Sequence, residues 1–223
     1  MKTLAITIAL AMTGVSHAVL MFDNFNTGPY SRTIQSGADF AVQTGTMIGG
    51  FRATTMMVER NPFDEDFSME IGRGLNVVSS GVGLDGMITL GYGYESDGSG
   101  GFRRRDLNFN TDVEMIDRFT LDFLRNDLAM NVVIRVDSNS GGRSGVMTRT
   151  ISGGRDQAFS ETFFLTALQG TVDLTDIDQI TFTFDSIENG DYVLDSIRGV
   201  PEPGTMIALG AGLVGLAARR RRK

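Results

Sequence analysis

Cysteine and tryptophan are absent from the 223 residues, and histidine occurs once, as His17. The two lysines, Lys2 and Lys223, stand at the chain's extremes, and proline occurs only four times. Each absence excludes chemistry. Without cysteine there are no disulfides and no thiolate nucleophile. With a lone histidine near the start, neither a Ser-His-Asp triad nor a Cys-His pair can be assembled, and no interior lysine is free for covalent catalysis. A zinc site of the usual His/Cys kind is excluded as well. Between residues 19 and 200 every cation is an arginine, fourteen of them against 26 anions, for a net charge of −12. A body so acidic is unsuited to a phosphate backbone, so nucleic acid is not expected as a partner. Its stability has to come from an apolar core, with a carboxylate-bound hard cation as the one available staple.

What the chain does possess is two unusual ends. Residues Met1–Ala18 place Lys2 before an apolar run from Leu4 to Val15 and finish in Ser16-His17-Ala18. A cation, a short apolar stretch and a small-x-small site make a secretory signal peptide, cut after Ala18 by signal peptidase. An uncut N-terminal anchor is the alternative. At the other end, residues 200–223 read VPEPGTMIALGAGLVGLAARRRRK. Pro201 and Pro203 fix φ and remove two donors, so the segment 200–203 is expected to be extended and open to a processing enzyme. Thr205 to Ala218 carry no charge. As a helix they span roughly 21 Å at 1.5 Å per residue. A bilayer core is about 30 Å thick, so this is a short transmembrane helix that needs thinned lipid or snorkelling flanks. The cations Arg219, Arg220, Arg221, Arg222 and Lys223 stop transfer and stay on the cytoplasmic side. A buried C-terminal core helix is the competing reading.

The tail resembles the PEP-CTERM sorting signal of Gram-negative bacteria. Val200, Pro201, Glu202, Pro203 and Gly204 match its motif, and the apolar run and basic cluster match its other two parts. The resemblance implies export, transient anchoring in the inner membrane, and recognition near Pro-Glu-Pro by exosortase, a membrane-embedded cysteine transpeptidase. It also implies a final location in the cell envelope, at the cell surface or in an extracellular matrix rich in polysaccharide.

Three units follow: a signal peptide (1–18), a body (19–199) and the sorting signal (200–223). The body is predicted to be all-β. Apolar and polar residues alternate over short stretches such as Thr181-Phe182-Thr183-Phe184, and Gly-rich turns such as Ser96–Gly101 and Ser152-Gly153-Gly154 separate them. Strands are expected at Leu20–Phe25, Thr46–Glu59, Phe67–Val77, Met87–Glu95, Arg118–Leu124, Asn131–Asp137, Gly145–Ile151 and Tyr192–Arg198, beside Thr181–Phe184. Such a pattern specifies a sandwich or barrel whose core draws on Phe119, Phe123, Phe163, Phe164, Phe182 and Phe184. Phe22-Asp23-Asn24-Phe25, Asp173–Phe184 and Asp191–Ile197 together resemble jelly-roll sandwiches of the carbohydrate-binding-module type, and Gly49-Gly50-Phe51-Arg52 resembles a passage common in PEP-CTERM proteins of that shape. In such sandwiches the first and last strands lie side by side, and an acidic residue from each holds a structural calcium. That resemblance points to Asp23 and Asp195.

Tyr92 and Tyr94, two residues apart in one expected strand, would share a face and could stack on sugar rings. Ordinary packing is the plainer alternative, and the lack of tryptophan removes the largest stacking platform. Arg103-Arg104-Arg105 is expected to pair with Asp97 and Asp106, or to meet an anionic polysaccharide. Asp64-Glu65-Asp66 is a second candidate cation cluster, with a solvated loop as the plainer reading. The leading functional expectation is a non-enzymatic, exosortase-processed matrix or surface protein. Its alternatives are a carbohydrate-binding module and, third, a glycosidase or lyase working through a carboxylate pair.

Overall fold

The computed structural model describes residues 19–114, 116–186 and 190–201. Ala18, Glu202, Pro203, Gly204 and the Arg219–Lys223 cluster lie outside the described residues. The strands are β1 (Leu20–Asp23), β2 (Tyr30–Ile34), β3 (Gly37–Thr44), β4 (Phe51–Arg60), β5 (Phe67–Gly72), β6 (Leu75–Ser80), β7 (Asp85–Tyr92), β8 (Tyr94–Ser96), β9 (Phe102–Arg104), β10 (Ile116–Asn126), β11 (Met130–Ser138), β12 (Arg143–Ile151), β13 (Phe159–Phe164), β14 (Gln169–Gly170), β15 (Ile177–Ser186) and β16 (Tyr192–Pro201). A single helical turn, α1 (Thr111–Glu114), precedes β10.

Fourteen of them form two antiparallel seven-stranded sheets, and β8 and β9 pair in a separate two-stranded one. The first runs β13-β10-β16-β6-β5-β2, with β1 beside β16; the second runs β14-β12-β11-β15-β7-β4-β3. Opening strand β1 and closing strand β16 are neighbours, with Leu20 opposite Gly199 and Met21 opposite Arg198. The body is an all-β sandwich, as its alternation predicts.

Alternation decides which residues fill the space between the sheets. Phe119, Leu121 and Phe123 of β10 point inward, as do Phe182 and Phe184 of β15. Edge-to-face ring pairs line the core: Phe22–Phe119 at 5.3 Å within the first sheet, Phe119–Phe182 at 5.4 Å between the sheets, and Tyr92–Phe182 at 6.0 Å within the second. Each such ring contributes on the order of 1.5–3 kcal/mol by leaving water. Phe164, expected in this core, is 49% exposed instead. It follows Phe163 directly, and in a strand consecutive side chains take opposite faces.

Three expected strands are interrupted. Phe67–Val77 is a hairpin, β5 and β6, turning at Arg73-Gly74. The segment before Phe51 forms a 3-10 turn, Ile48–Gly50. Met87–Glu95 breaks at Gly93, whose φ of 85° leaves the strand region. Across that break the period of two no longer holds, which matters for the tyrosines below.

Strand β16 continues into the sorting motif. Val200 pairs with Arg118, and Pro201 pairs with Ile116 and is buried. The expectation of an open 200–203 segment is therefore corrected for its first two residues: they are extended, but as part of the sheet. Proline is tolerated here because it is the last residue of its strand, where a missing donor breaks no interior ladder. Gly199 is a close-approach position, since a Cβ there would lie 2.9 Å from Phe22 and 3.1 Å from Ile116.

Candidate functional site

Asp23 is only 2% exposed, and its cation is an arginine of the same chain. Its Oδ2 accepts hydrogen bonds from Arg52 Nη1 at 2.8 Å and from the Tyr92 hydroxyl at 2.9 Å, while Oδ1 accepts the Phe25 N–H at 2.9 Å. Arg52 is fully buried. Its Nε donates to Gln43 Oε1 at 3.1 Å, its Nη2 donates to the Gly28 carbonyl, and its guanidinium lies over the Phe25 ring. Burial, followed by the Asp23 charge, pushes the Tyr92 hydroxyl well above its usual pKa.

Asp195 lies elsewhere. The register of β10 and β16 slips between Asp122–Ser196 and Phe123–Leu194, leaving Asp195 as the extra residue of a bulge and turning it outward. A shared calcium site at Asp23 and Asp195 does not fit these residues. Both Asp23 oxygens already have donors, and a metal ion there would have to sit against a buried arginine. The expected Tyr92/Tyr94 platform is likewise corrected: Tyr92 is 0% exposed and faces the core, whereas Tyr94 lies beyond the Gly93 break on the outside of the second sheet.

That outer face is the more informative surface. In register across six strands stand Phe40 of β3, Thr55 of β4, Thr89 of β7, Thr183 of β15, Val133 of β11 and Thr148 of β12. At about 4.8 Å per strand this row is roughly 24 Å long. Thr89 and Thr183 hydroxyls meet at 3.0 Å. The adjacent row reads Val42, Ala53, Gly91, Thr181, Arg135 and Val146. The short hairpin β8–β9 folds over it. The Tyr94 ring lies so close on Gly91 that a Cβ there would be 2.9 Å from it, which is why this position is bare.

Phe102 meets the Tyr94 ring edge-on at 5.2 Å, and Phe40 lies 6.2 Å from Phe102. Phe40 and Phe102 are 49% and 37% exposed. Near Tyr94, Arg135 Nε donates to Asp137 Oδ1 at 2.8 Å, and Arg104 reaches Asp137 Oδ2 at 3.8 Å. Burial, then the Asp137 charge, raises the Tyr94 pKa. The arginine triplet finds partners other than the expected ones: Arg103 and Arg105 pair with Glu95 at 2.7 and 3.4 Å. Asp97 instead accepts the N–H groups of Ser99 and Gly101 within its own turn. Three aromatic rings, a line of hydroxyls and a fixed Arg–Asp pair thus lie together on one open sheet face. Sequence reasoning found Tyr94 but missed Phe40 and Phe102. Their approach depends on the β8–β9 hairpin folding back over β3, a strand far earlier in the chain.

A cleft of about 430 Å³ opens on the outside of the first sheet, lined in part by Asp122, Phe159, Asp195 and Arg198. Asp122 is fully engaged there. Arg198 Nε and Nη2 donate to its two oxygens at 2.5 and 2.6 Å, joined by the hydroxyls of Ser160 at 2.6 Å and Ser196 at 2.7 Å. Partial burial pushes its pKa up, but these donors outweigh burial and hold it below the ordinary range. The stability Asp122 contributes is therefore full above about pH 4 and is lost as pH falls through its lowered value. Asp122→Asn should flatten the acid limb of stability below pH ~4, read by thermal melts across a pH series, with little change at neutral pH in that slope.

Other carboxylates of the described residues gather in two places. Glu59, Asp85 and Asp185, on β4, β7 and β15, bring one oxygen each within 4.8 Å of one another. They could supply three of the six to eight oxygens calcium requires. Asp178 is pushed up by burial and by the neighbouring Asp106, yet it is 5% exposed and accepts the Ser140 N–H at 2.5 Å. In the Asp64–Asp66 loop, Asn61 bridges the N–H and carbonyl of Glu65.

The buried strand end at Pro201 meets a recognisable signal. Residues 199–222 match the PEP-CTERM protein-sorting motif. A PEP-CTERM signal marks a chain for export and for membrane anchoring before processing. No curated protein sequence matches the chain. Among solved structures, it is similar to the family 11 carbohydrate-binding module of the cellulosomal cellulase Lic26A-Cel5E of Clostridium thermocellum. That likeness has 14% identity over 84% of this chain and 96% of that one, with a TM-score of 0.42. It is also similar to an exo-beta-agarase, at 13% identity over 84% of this chain and 25% of that one, TM-score 0.40. A family 43 arabinoxylan arabinofuranohydrolase from Bacillus subtilis follows, at 11% identity over 75% of this chain and 27% of that one, TM-score 0.33. These are likenesses of fold.

Proposed function

We propose that this PEP-CTERM protein is a non-enzymatic polysaccharide-binding sandwich that exosortase processes at the cell envelope, and that its place is in a surface or extracellular matrix. One observation carries the binding reading. The Tyr94–Phe102–Phe40 cluster borders a hydroxyl row with Arg135 and Asp137 at its side, on a face long enough for several sugar units. Aromatic rings take the apolar faces of sugars, while threonine hydroxyls and a held Arg–Asp pair suit their hydroxyl groups.

The chemistry of the carboxylates favours binding over hydrolysis. A general acid needs a raised pKa within reach of a cleft. Among the described residues the carboxylate whose pKa is raised, Asp178, is buried against a backbone turn, and the cleft carboxylate, Asp122, is held ionised.

The test is affinity electrophoresis of the exported protein through gels carrying acidic and neutral bacterial exopolysaccharides. Retardation is expected, and a Phe40→Ala/Phe102→Ala variant should weaken it about tenfold, the loss of one good aromatic contact. Equal mobility in every polysaccharide, or retention unchanged by the double variant, would remove this face as the binding site.

A further inference from the structure

We infer that the pole of the first sheet from which the sorting tail leaves is a lipid-facing surface that seats the sandwich on the membrane while the tail is in place. The inference rests on the reading of the tail as a membrane anchor.

Chain geometry sets the distance. Pro201 is buried in β16, and the uncharged run begins at Thr205. Four Cα steps at about 3.5 Å allow at most roughly 14 Å between them. The headgroup layer takes up about half of that on one side of a bilayer. A body tethered so closely cannot stand clear of the headgroups, so some part of this pole must meet them.

The side chains at the pole suit that contact. Phe164 of β13, Arg118 of β10 and Val200 of β16 form one cross-strand row on the outer face. The next row carries Arg198 and, on β1, Met21. Val19 directly precedes β1, whose first residue Leu20 pairs with Gly199. Phe164, Met21 and Val19 are large apolar side chains that are 49%, 43% and 39% exposed. The cations between them are answered. Arg118 has Asp117 at 3.3 Å and lies over the Phe164 ring, and Arg198 is clamped on Asp122. On a body with a net charge of −12 this apolar, locally balanced strip is where approach to anionic headgroups costs least. Because β1 and β16 are antiparallel neighbours, both ends of the body also emerge at this one pole.

A few apolar side chains cannot hold a protein on a membrane by themselves, but beside a covalent tether they act at high local concentration and fix orientation. The strip should therefore orient the anchored protein and let go once the tail is removed.

The chain has no cysteine, so single thiols can be placed without background. Full-length Met21→Cys and Phe164→Cys variants, carrying a fluorophore, are reconstituted in phosphatidylethanolamine–phosphatidylglycerol vesicles containing headgroup-nitroxide lipid. Val82→Cys, 65% exposed in the turn after β6 at the opposite pole, is the control. Labels at 21 and 164 should lose at least half their fluorescence, the label at 82 should lose almost none, and removal of the tail should abolish the difference. Flotation of the vesicles separates the failures. Protein that does not float overturns the anchor reading together with this one. Protein that floats with all three labels equally bright overturns the lipid-facing pole alone. Protection of positions 21 and 164 only after exosortase is added to the vesicles overturns it in favour of a protein surface.

Discussion

Arg52→Ala is expected to destabilise the sandwich by about 3–5 kcal/mol, the usual cost of removing one partner from a buried ion pair. Arg52 and Asp23 are 0% and 2% exposed, so water cannot replace the lost guanidinium. Alanine would leave three acceptors short at once: the Asp23 carboxylate, Gln43 Oε1 and the Gly28 carbonyl. Lysine is expected to do little better. It carries charge but not the planar fork that reaches those three directions together, and it cannot lie flat on Phe25. Removing both charges in an Asp23→Leu/Arg52→Met variant should recover much of the loss, because the large penalty belongs to the stranded charge rather than to the pair. Urea titration of the four proteins measures this. An Arg52→Ala midpoint within error of the parent would mean that the hub is not closed to water.

The same hub marks the limit of the sequence reading. Asp23 on the opening strand and Arg52 in its Gly-Gly-x-Arg passage are each conspicuous in the sequence, yet nothing there ties one to the other across 29 residues. Asp23 therefore reads as a metal ligand, while the structure supplies the cation from within. Strands were legible where a stretch alternates, as in β11 and the Thr181–Phe184 part of β15. They were not where a turn sits inside an apolar run, as at Arg73-Gly74, because β-branched and apolar content is the same on both sides of the turn. The phenylalanines 163 and 164 show why residue type alone misplaces a core: five of the six expected rings are buried, and the sixth is out because it is the next residue along. Deletion of lysine and histidine was legible as an exclusion of chemistries. Its positive side needed coordinates: arginine recurs where a fork or a flat face is used, in the clamp on Asp122 and over Phe51 and Phe159.

The largest effect on the outer face is expected from a residue that would touch no ligand. Gly93→Ala should cost about 3 kcal/mol and abolish polysaccharide retention together. Gly93 has φ of 85°, where an L side chain costs roughly 1–2 kcal/mol. Its missing Cβ would also run into the Asp178 carbonyl and stand 3.0 Å from the Arg105 carbonyl, so relief requires moving the backbone and overpacking adds about 1–3 kcal/mol more. The backbone with most freedom to move is the exposed β8–β9 hairpin, whose Arg105 N–H is held to the Gly93 carbonyl at 2.8 Å. Displacing it would lift Tyr94 from Gly91 and separate Phe102 from Phe40, dismantling the aromatic cluster without changing any of its residues. Tyr94→Ala makes the discriminating comparison. It keeps the hairpin's turn at Gly93 and removes one ring, so retention should fall while the urea midpoint moves far less than in Gly93→Ala. If Gly93→Ala lost stability yet bound polysaccharide as the parent does, the aromatic cluster would be a prop for the hairpin and not the ligand's platform.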